Sequence, residues 1–177
     1  MRRSLLTLLL CACANDLRDD FPFDGALPDG KYLESVDAAD GTTLSTIDAT
    51  HKESYVYVDL DAKADLPAGE ALDTNKWDLA FQRFKIISNG GSSGPGAVKV
   101  AIVKDRDFAS FTQAPADGYQ QDASDTVFNG PEGGWYVYDL SKHKLATRED
   151  LFYVVQTSEG AFFKLQMKSY YLSLIHI

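Results

Sequence analysis

The sequence predicts an all-β fold that is mostly antiparallel and sandwich-like, with little helix. Nine Tyr and ten Phe occur among the 177 residues, and Val and Thr recur in short runs. Aromatic and β-branched side chains suit a pleated, half-buried surface. Gly, Pro and Asp-Gly turns separate these runs at short intervals, which is typical of sandwiches and barrels. The length fits a single domain.

Short strands are predicted along most of the chain, each bounded by turn residues. Asp40-Gly41 marks the first turn, and Gly160 marks a hairpin turn near the C-terminus. The stretch 88–96 carries so much Gly and Pro that only a loop is expected there. The predicted strands are 31–36, 42–50, 55–60, 77–87, 98–103, 135–138, 151–157 and 161–171.

Two segments between these strands are expected to be irregular. The polar stretch 62–75 has room for no more than a turn of helix. The stretch 105–129 is interrupted by Pro and Asp-Gly, and we expect its aromatic residues Phe108, Phe111 and Tyr119 to pack onto the sheet.

The N-terminus has the layout of a bacterial lipoprotein signal. Arg2-Arg3 is followed by a short Leu-rich run, and Leu10 and Ala12 precede Cys13 at the spacing of a lipobox. Several acyl chains on Cys13 would suffice for stable membrane anchoring. A plain signal peptide with incidental cysteines is the alternative.

The predicted organisation therefore has three parts. Residues 1–12 form the signal peptide, 13–30 a tether rich in Asp and Pro, and 31–177 the β domain. The absence of Asp after Cys13 favours the outer membrane or cell surface over the inner membrane.

Charge and composition exclude several classes of function. The formal net charge of −9 makes a nucleic-acid partner unexpected, because an acidic surface repels phosphates. Both cysteines, Cys11 and Cys13, lie at the N-terminus, so neither an internal disulfide nor a cysteine-based metal site is expected. Only three histidines are present, which argues against a zinc site built from several of them.

No motif predicts catalysis. The sequence from Ser141 to Lys144 spells S-x-x-K, but the partner motifs of that family of enzymes are absent. Asp59, Asp61 and Asp65 resemble the start of a calcium loop, yet Lys63 stands where the fifth ligand would be. We interpret the first match as chance and the acidic residues as a solvated turn, and we expect a binding protein, not an enzyme.

Several segments together resemble the HmuY family of bacterial haem-binding lipoproteins. Their order and rough spacing match across about 77–171. They are Trp77-Asp78-Leu79-Ala80-Phe81-Gln82-Arg83-Phe84, the Ser/Gly loop through Gly96, Ala114-Pro115-Ala116-Asp117-Gly118-Tyr119, Gly133-Gly134-Trp135, Tyr153-Val154-Val155, Lys164-Leu165-Gln166-Met167 and Tyr170-Tyr171. The resemblance implies an almost all-β fold, a ligand cleft between finger-like β extensions, and capture of haem at the cell surface for an outer-membrane receptor.

The resemblance does not extend to the haem ligands. The family pattern holds haem iron between two histidines, one before the Gly-Gly-Trp segment and one a few residues after it. Neither position carries histidine here, and His143 is out of register with the second. The remaining candidates for a haem ligand are His143, Met167 and His51, since His, Met and Tyr all ligate haem iron. The alternative for His143 and His51 is a solvated surface position, and for Met167 it is core packing.

Two functions follow from this resemblance. The first is a surface-anchored, non-catalytic lipoprotein that binds haem or a related porphyrin for uptake. The second is a HmuY-like β domain that has lost haem ligation and binds another apolar ligand, a glycan or a protein.

The last residues, 172–177, lack the polar turn expected after Tyr170-Tyr171. In the resembling family a further turn and a closing strand follow, so we expect the native C-terminus to be truncated here and assign His176 no role. The alternative is that 172–177 supply the closing strand themselves.

Overall fold

The computed structural model describes residues 6–13 and 32–170. The rest of the predicted tether, 14–30, and the apolar tail 171–177 lie outside the described residues. Strands dominate what is described, and the one helix is a single turn. The prediction of an all-β fold with little helix is confirmed.

The described residues contain twelve strands and one short helix, numbered here in chain order. They are β1 Leu6–Cys13, β2 Leu33–Asp37, β3 Thr42–Asp48, β4 Val56–Asp59, β5 Ala64–Leu66, β6 Leu79–Gln82, β7 Lys85–Ser88, β8 Lys99–Lys104, β9 Tyr136–Asp139, β10 Lys144–Thr147, β11 Leu151–Gln156 and β12 Phe162–Ser169; helix α1, Ala68–Ala71, follows β5.

These strands form three sheets. The largest has the order β2-β3-β1-β12-β11-β8, the second has the order β5-β4-β6-β7, and β9 and β10 form a separate two-stranded ribbon. All pairings are antiparallel except those of β1, which runs parallel to β3 and to β12.

The two larger sheets pack face to face around the main core, as the sandwich prediction requires. Alternation along β4 places Val56 and Val58 in this core, while Tyr57 faces a smaller cluster with Trp77. Alternate residues of the six-stranded sheet, such as Tyr153 on β11, belong to the same core. Because side chains alternate between faces of a strand, each sheet contributes every second residue to the core.

The other face of the six-stranded sheet is covered by the irregular stretch 105–129. The rings of Phe108 and Phe111 lie 5.3 Å and 5.2 Å from that of Phe152 on β11. Lys164, buried on β12, donates hydrogen bonds to the carbonyls of Phe108 and Phe111. The predicted packing of these two aromatic residues onto the sheet is confirmed, and a buried lysine fixes the loop that carries them.

The predicted strand 77–87 is wrong, because this stretch is a tight hairpin of β6 and β7. The turn lies at Arg83-Phe84, where Arg83 adopts a φ of 52°. No Gly, Asn or Asp marks that turn, so turn chemistry gave no signal. The short strands β5 and β10 were also not predicted.

Strand β1 occupies the middle of the largest sheet. The sequence analysis assigns these residues to an export signal outside the fold, but in the full chain Leu8 pairs with Thr43 on one side and Leu165 on the other. As an inner strand, β1 uses its backbone donors and acceptors on both sides, towards β3 and towards β12. The export role of this segment remains a prediction.

Among residues 6–13 and 32–170, no helix has the length and apolar character needed to cross a membrane.

The Gly-rich loop is pinned by Asn89, which is fully buried. Its Nδ2 donates to the carbonyls of Thr74 at 2.9 Å and Trp77 at 2.8 Å, and its Oδ1 accepts from the amide of Gly96 at 2.9 Å. At Gly91, φ is +64° and an added Cβ would lie 2.0 Å from the carbonyl oxygen of Asp122. The glycine is therefore required for the close approach of two backbones.

We expect Gly91→Ala to lower the free energy of unfolding by about 2–4 kcal/mol, because Ala adds backbone strain and displaces the Asp122 carbonyl. The matched control is Gly69→Ala, whose Cβ meets nothing within 4 Å. Urea denaturation of both variants measures the difference, and equal stability for the two would contradict the assigned role of Gly91.

Candidate functional site

The β9–β10 hairpin, residues 136–147, starts from a rigid base. Trp135, fully buried, donates from Nε1 to the carbonyl of Phe84 at 3.0 Å. Asn129 donates to the same carbonyl at 2.8 Å and accepts from the amide of Ile86 at 2.8 Å. The turn between β6 and β7 is thus joined to the chain just before β9, and the ribbon leaves the core in a fixed direction.

The hairpin exposes large apolar side chains. Val137 is 57% exposed, Tyr138 46% and Leu140 77%. Alternation places Tyr136 and Tyr138 on one face of the ribbon, while Val137 lies on the other with Ala146, its partner on β10. Tyr136 packs against Phe84, with ring centroids 5.8 Å apart. The face that carries Tyr138 is therefore continuous with an aromatic floor at the base.

The loop between β9 and β10 is held by Asp139. Its Oδ1 accepts from the amide of Ser141 at 2.9 Å and from the Ser141 hydroxyl at 2.6 Å. The hydrogen bond from the Ser141 hydroxyl lowers the pKa of Asp139. Loss of solvation acts in the opposite direction but is the smaller effect, so the pKa lies below its usual value. Ser141 thus stabilises the turn between β9 and β10.

His143 closes this loop beside Tyr138. It adopts a φ of 51°, which is uncommon for a residue other than glycine. The Oη of Tyr138 lies 3.1 Å from Nδ1 of His143, and both side chains are exposed. The hairpin therefore presents a hydrogen-bonded phenol and imidazole on the two sides of a loop that also carries the exposed Leu140.

A family model described as HmuY protein matches residues 51–173. The chain belongs to the HmuY family. The match covers β4 to β12, and it includes the whole β9–β10 hairpin together with His51 and His143. No curated protein matches the chain. The resemblance found in the sequence is confirmed.

Of the three histidine and methionine candidates, only His143 lies in the hairpin of this HmuY-family domain. Met167 on β12 is 5% exposed and belongs to the main core, which favours its packing role. His51 is exposed between β3 and β4, where its ring meets that of Tyr32 at 5.3 Å. The structure does not bring the three candidates into one described cluster.

The sequence analysis did not single out Tyr138 as a candidate. The search after Trp135 was for histidine, and the tyrosines in Tyr136-Val137-Tyr138 were treated as ordinary strand residues. A usable signal existed, because an exposed tyrosine five residues before a histidine across a hairpin loop can reach it.

The acidic residues form a cluster that differs from the predicted one. Asp59 and Asp61 lie with Asp78, their carboxylates within 4.8 Å of one another. Asp65 is instead bonded by the amide of Tyr32 at 2.9 Å. Burial is the main reason that the pKa of Asp78 is raised to about 7, and the negative charges of Asp61 and Asp59 add to it. The amide of Leu60 donates a hydrogen bond to Asp78 and acts in the opposite direction.

A crevice beside this cluster, between β2, β3 and β4, is too narrow to admit a water-sized sphere. Leu33, Ser45, Leu60 and Lys63 are among its lining residues. Asp59 also lines this crevice, so the acidic cluster lies at the junction between the two sheets, with Asp78 buried and Asp61 exposed.

Asp78 makes stability depend on pH in the neutral range. The folded state binds a proton up to about pH 7, whereas an unfolded Asp loses it near pH 4. The free energy of unfolding therefore falls as pH rises from 4 to 7, by up to about 4 kcal/mol. We expect Asp78→Asn to remove this decline while its side-chain oxygen still accepts from Leu60.

Urea unfolding at pH 4.5 and 7.5 measures this effect. Asp61→Asn is the control, because Asp61 is exposed and contributes only a secondary charge effect. If the wild-type free energy of unfolding changes between these pH values in the same way as that of Asp78→Asn, then Asp78 is ionised at both and the prediction is wrong.

Proposed function

We propose that this HmuY-family domain captures haem or a related porphyrin on the β9–β10 hairpin. The observation that carries the proposal is the exposure of Tyr138 and Leu140 on the hairpin that also carries His143. Apolar side chains of this size are costly to leave in water unless a partner covers them.

The chemistry of haem matches this surface. A porphyrin is a flat apolar macrocycle with a central iron and two carboxylates at one edge. The hairpin supplies apolar side chains for the macrocycle and candidate ligands in Tyr138 and His143 for the iron.

The role proposed for the complex is uptake without catalysis. The protein is exported, anchored by lipid on Cys13 at the outer membrane or cell surface, and hands haem to an outer-membrane receptor. The basic and Leu-rich start before Leu10-Cys11-Ala12-Cys13 supports the anchor, and membership of the HmuY family supports the haem ligand.

A second candidate function is binding of another apolar ligand, a glycan or a protein. It is favoured by the exposure of Val137 and Ala146 on the ribbon face opposite Tyr138, since a haem bound at Tyr138 leaves that face uncovered.

We expect Leu140→Ser to weaken haemin binding about fivefold to tenfold, because burial of a leucine side chain contributes about 1–2 kcal/mol. Leu72→Ser is the control, since Leu72 is 59% exposed directly after α1, outside the hairpin. Haemin titration followed by Soret absorbance gives both affinities. An equal effect of the two substitutions would place the ligand elsewhere.

We also expect lipid on Cys13 and not on Cys11, because Leu10 and Ala12 fit the lipobox only for Cys13. Cells grown with labelled palmitate should label the wild type and Cys11→Ser but not Cys13→Ser. Label retained by Cys13→Ser would reject this assignment.

A further inference from the structure

Most sheet edges among the described residues are covered, charged or very short. An edge strand presents free amides and carbonyls that can pair with another chain, so folded proteins protect their edges in these ways. On β7 the amide of Ser88 donates to the carboxylate of Asp122 at 2.8 Å. On β8 the backbone groups of Val100 exchange hydrogen bonds with those of Gln120. At the other edge of the six-stranded sheet, β2 carries the exposed charge of Glu34, and β5 has only three residues.

The outer edge of β9 lacks these protections. Its first three residues, Tyr136-Val137-Tyr138, are uncharged and of types that favour strands, and the charge on the strand is that of Asp139 at its loop end. Val137 is 57% exposed and Tyr138 46%. The neighbouring strand β10, by contrast, begins with the exposed Lys144. Among the described residues, β9 pairs with β10 alone.

The ladder between β9 and β10 determines where the backbone groups of β9 point. The amide of Arg148 donates to the carbonyl of Trp135 at 2.9 Å, so these two residues form a hydrogen-bonded pair one step before β9 begins. Hydrogen-bonded and non-hydrogen-bonded pairs alternate along an antiparallel ladder. The amides and carbonyls of Tyr136 and Tyr138 therefore point away from β10, and the described backbone hydrogen bonds of turns and loops include none to them.

We propose that β9 pairs antiparallel with β9 of a second copy of this chain, about a two-fold axis at Val137. In this register Tyr136 lies opposite Tyr138 of the second copy on both sides of the axis. The outward backbone groups of these residues can then exchange hydrogen bonds, as in any hydrogen-bonded antiparallel pair. Val137 meets its own equivalent in the central non-hydrogen-bonded pair, where side chains approach most closely. The two ribbons become one four-stranded sheet.

Symmetry and charge select this register. Two antiparallel strands related by a two-fold axis must centre on a residue that faces its own copy. Centring on Tyr138 would place Val137 opposite Asp139 and would leave Tyr136 opposite the loop. Centring on Tyr136 would bring the fully buried Trp135 into the contact. Centring on Val137 keeps the two Asp139 carboxylates apart and forms aromatic cross-strand pairs, which stabilise sheets.

A second copy fits this edge because the edge is complementary to itself. A two-stranded ribbon is only marginally stable, whereas additional strands make a sheet stable, so pairing stabilises the ribbons of both copies. The contact of one short strand buries less area than a standard interface, and the dimer is therefore expected to be weak and to depend on concentration. Both faces of the ribbon stay open, so the proposal does not depend on haem binding.

Sedimentation velocity of the full chain over a wide concentration range measures the association. Cys11→Ser and Cys13→Ser are present throughout, so that neither lipid nor a native thiol contributes. Val137→Lys places two like charges at the axis and should raise the dissociation constant of the dimer about tenfold or more. Val36→Lys is the matched control, since Val36 is 59% exposed on β2, and it should leave the association unchanged. Circular dichroism verifies that each variant is folded.

A cross-link provides an independent measurement in the same background. Val137→Cys should form an intermolecular disulfide in the presence of oxidised glutathione, because opposite residues of a non-hydrogen-bonded pair have Cα atoms about 4.5 Å apart. Ala146→Cys is the control, since Ala146 pairs with Val137 on the same face but lies one strand further from the axis. Its two copies would be roughly 14 Å apart, three strand spacings, which is too far for a disulfide.

The proposal is supported if concentration-dependent dimers are lost only in Val137→Lys and the disulfide forms only in Val137→Cys. A reference chain that sediments as a monomer at every concentration overturns it, and so does an association that survives in Val137→Lys. Association lost in Val36→Lys would move the contact to the edge of the six-stranded sheet. A disulfide of equal yield in Ala146→Cys would show that the thiols meet by random collision and not in the proposed register.

Discussion

The fold depends on a few buried polar side chains that supply hydrogen-bond partners to irregular backbone. Long connections can be buried only if their amides and carbonyls are satisfied. Asp122 accepts from the amides of Ser88 and Val127, which ties the Gly-rich loop to the stretch before β9. Asn89, inside that loop, likewise donates hydrogen bonds to backbone carbonyls, those of Thr74 and Trp77. Without these side chains the two sheets would be joined by segments too polar to lie between them.

The same principle sets the direction of the β9–β10 hairpin. Two donors, from Asn129 and Trp135, converge on the carbonyl of Phe84. A two-stranded ribbon is marginally stable by itself, so its orientation must come from its base. The apolar surface at Tyr138 is consequently displayed by a rigid support, which favours ligand binding because little ordering is left to be done.

The sequence was informative wherever periodicity and turn residues agreed. The β11–β12 hairpin follows from alternation and from Gly160, which adopts a φ of 92°. It was uninformative at Arg83 and His143, where side-chain-bearing residues take left-handed turns that are normally marked by Gly or Asn. Asp59 and Asp78 are nineteen positions apart in the sequence, and the pairing of β4 with β6 brings them together. Their sequence separation alone therefore could not predict the contact. Tyr138 was not considered because only histidine was sought after Trp135.

The position of β1 has a consequence for the order of events in the life of the chain. Ala12 and Cys13 pair with Ile47 and Asp48, so the peptide bond between them is part of a sheet. A peptidase needs that bond in a free, extended segment. Cleavage before Cys13 would therefore require the pairings of Ala12 and Cys13 with β3 to be absent when the peptidase acts.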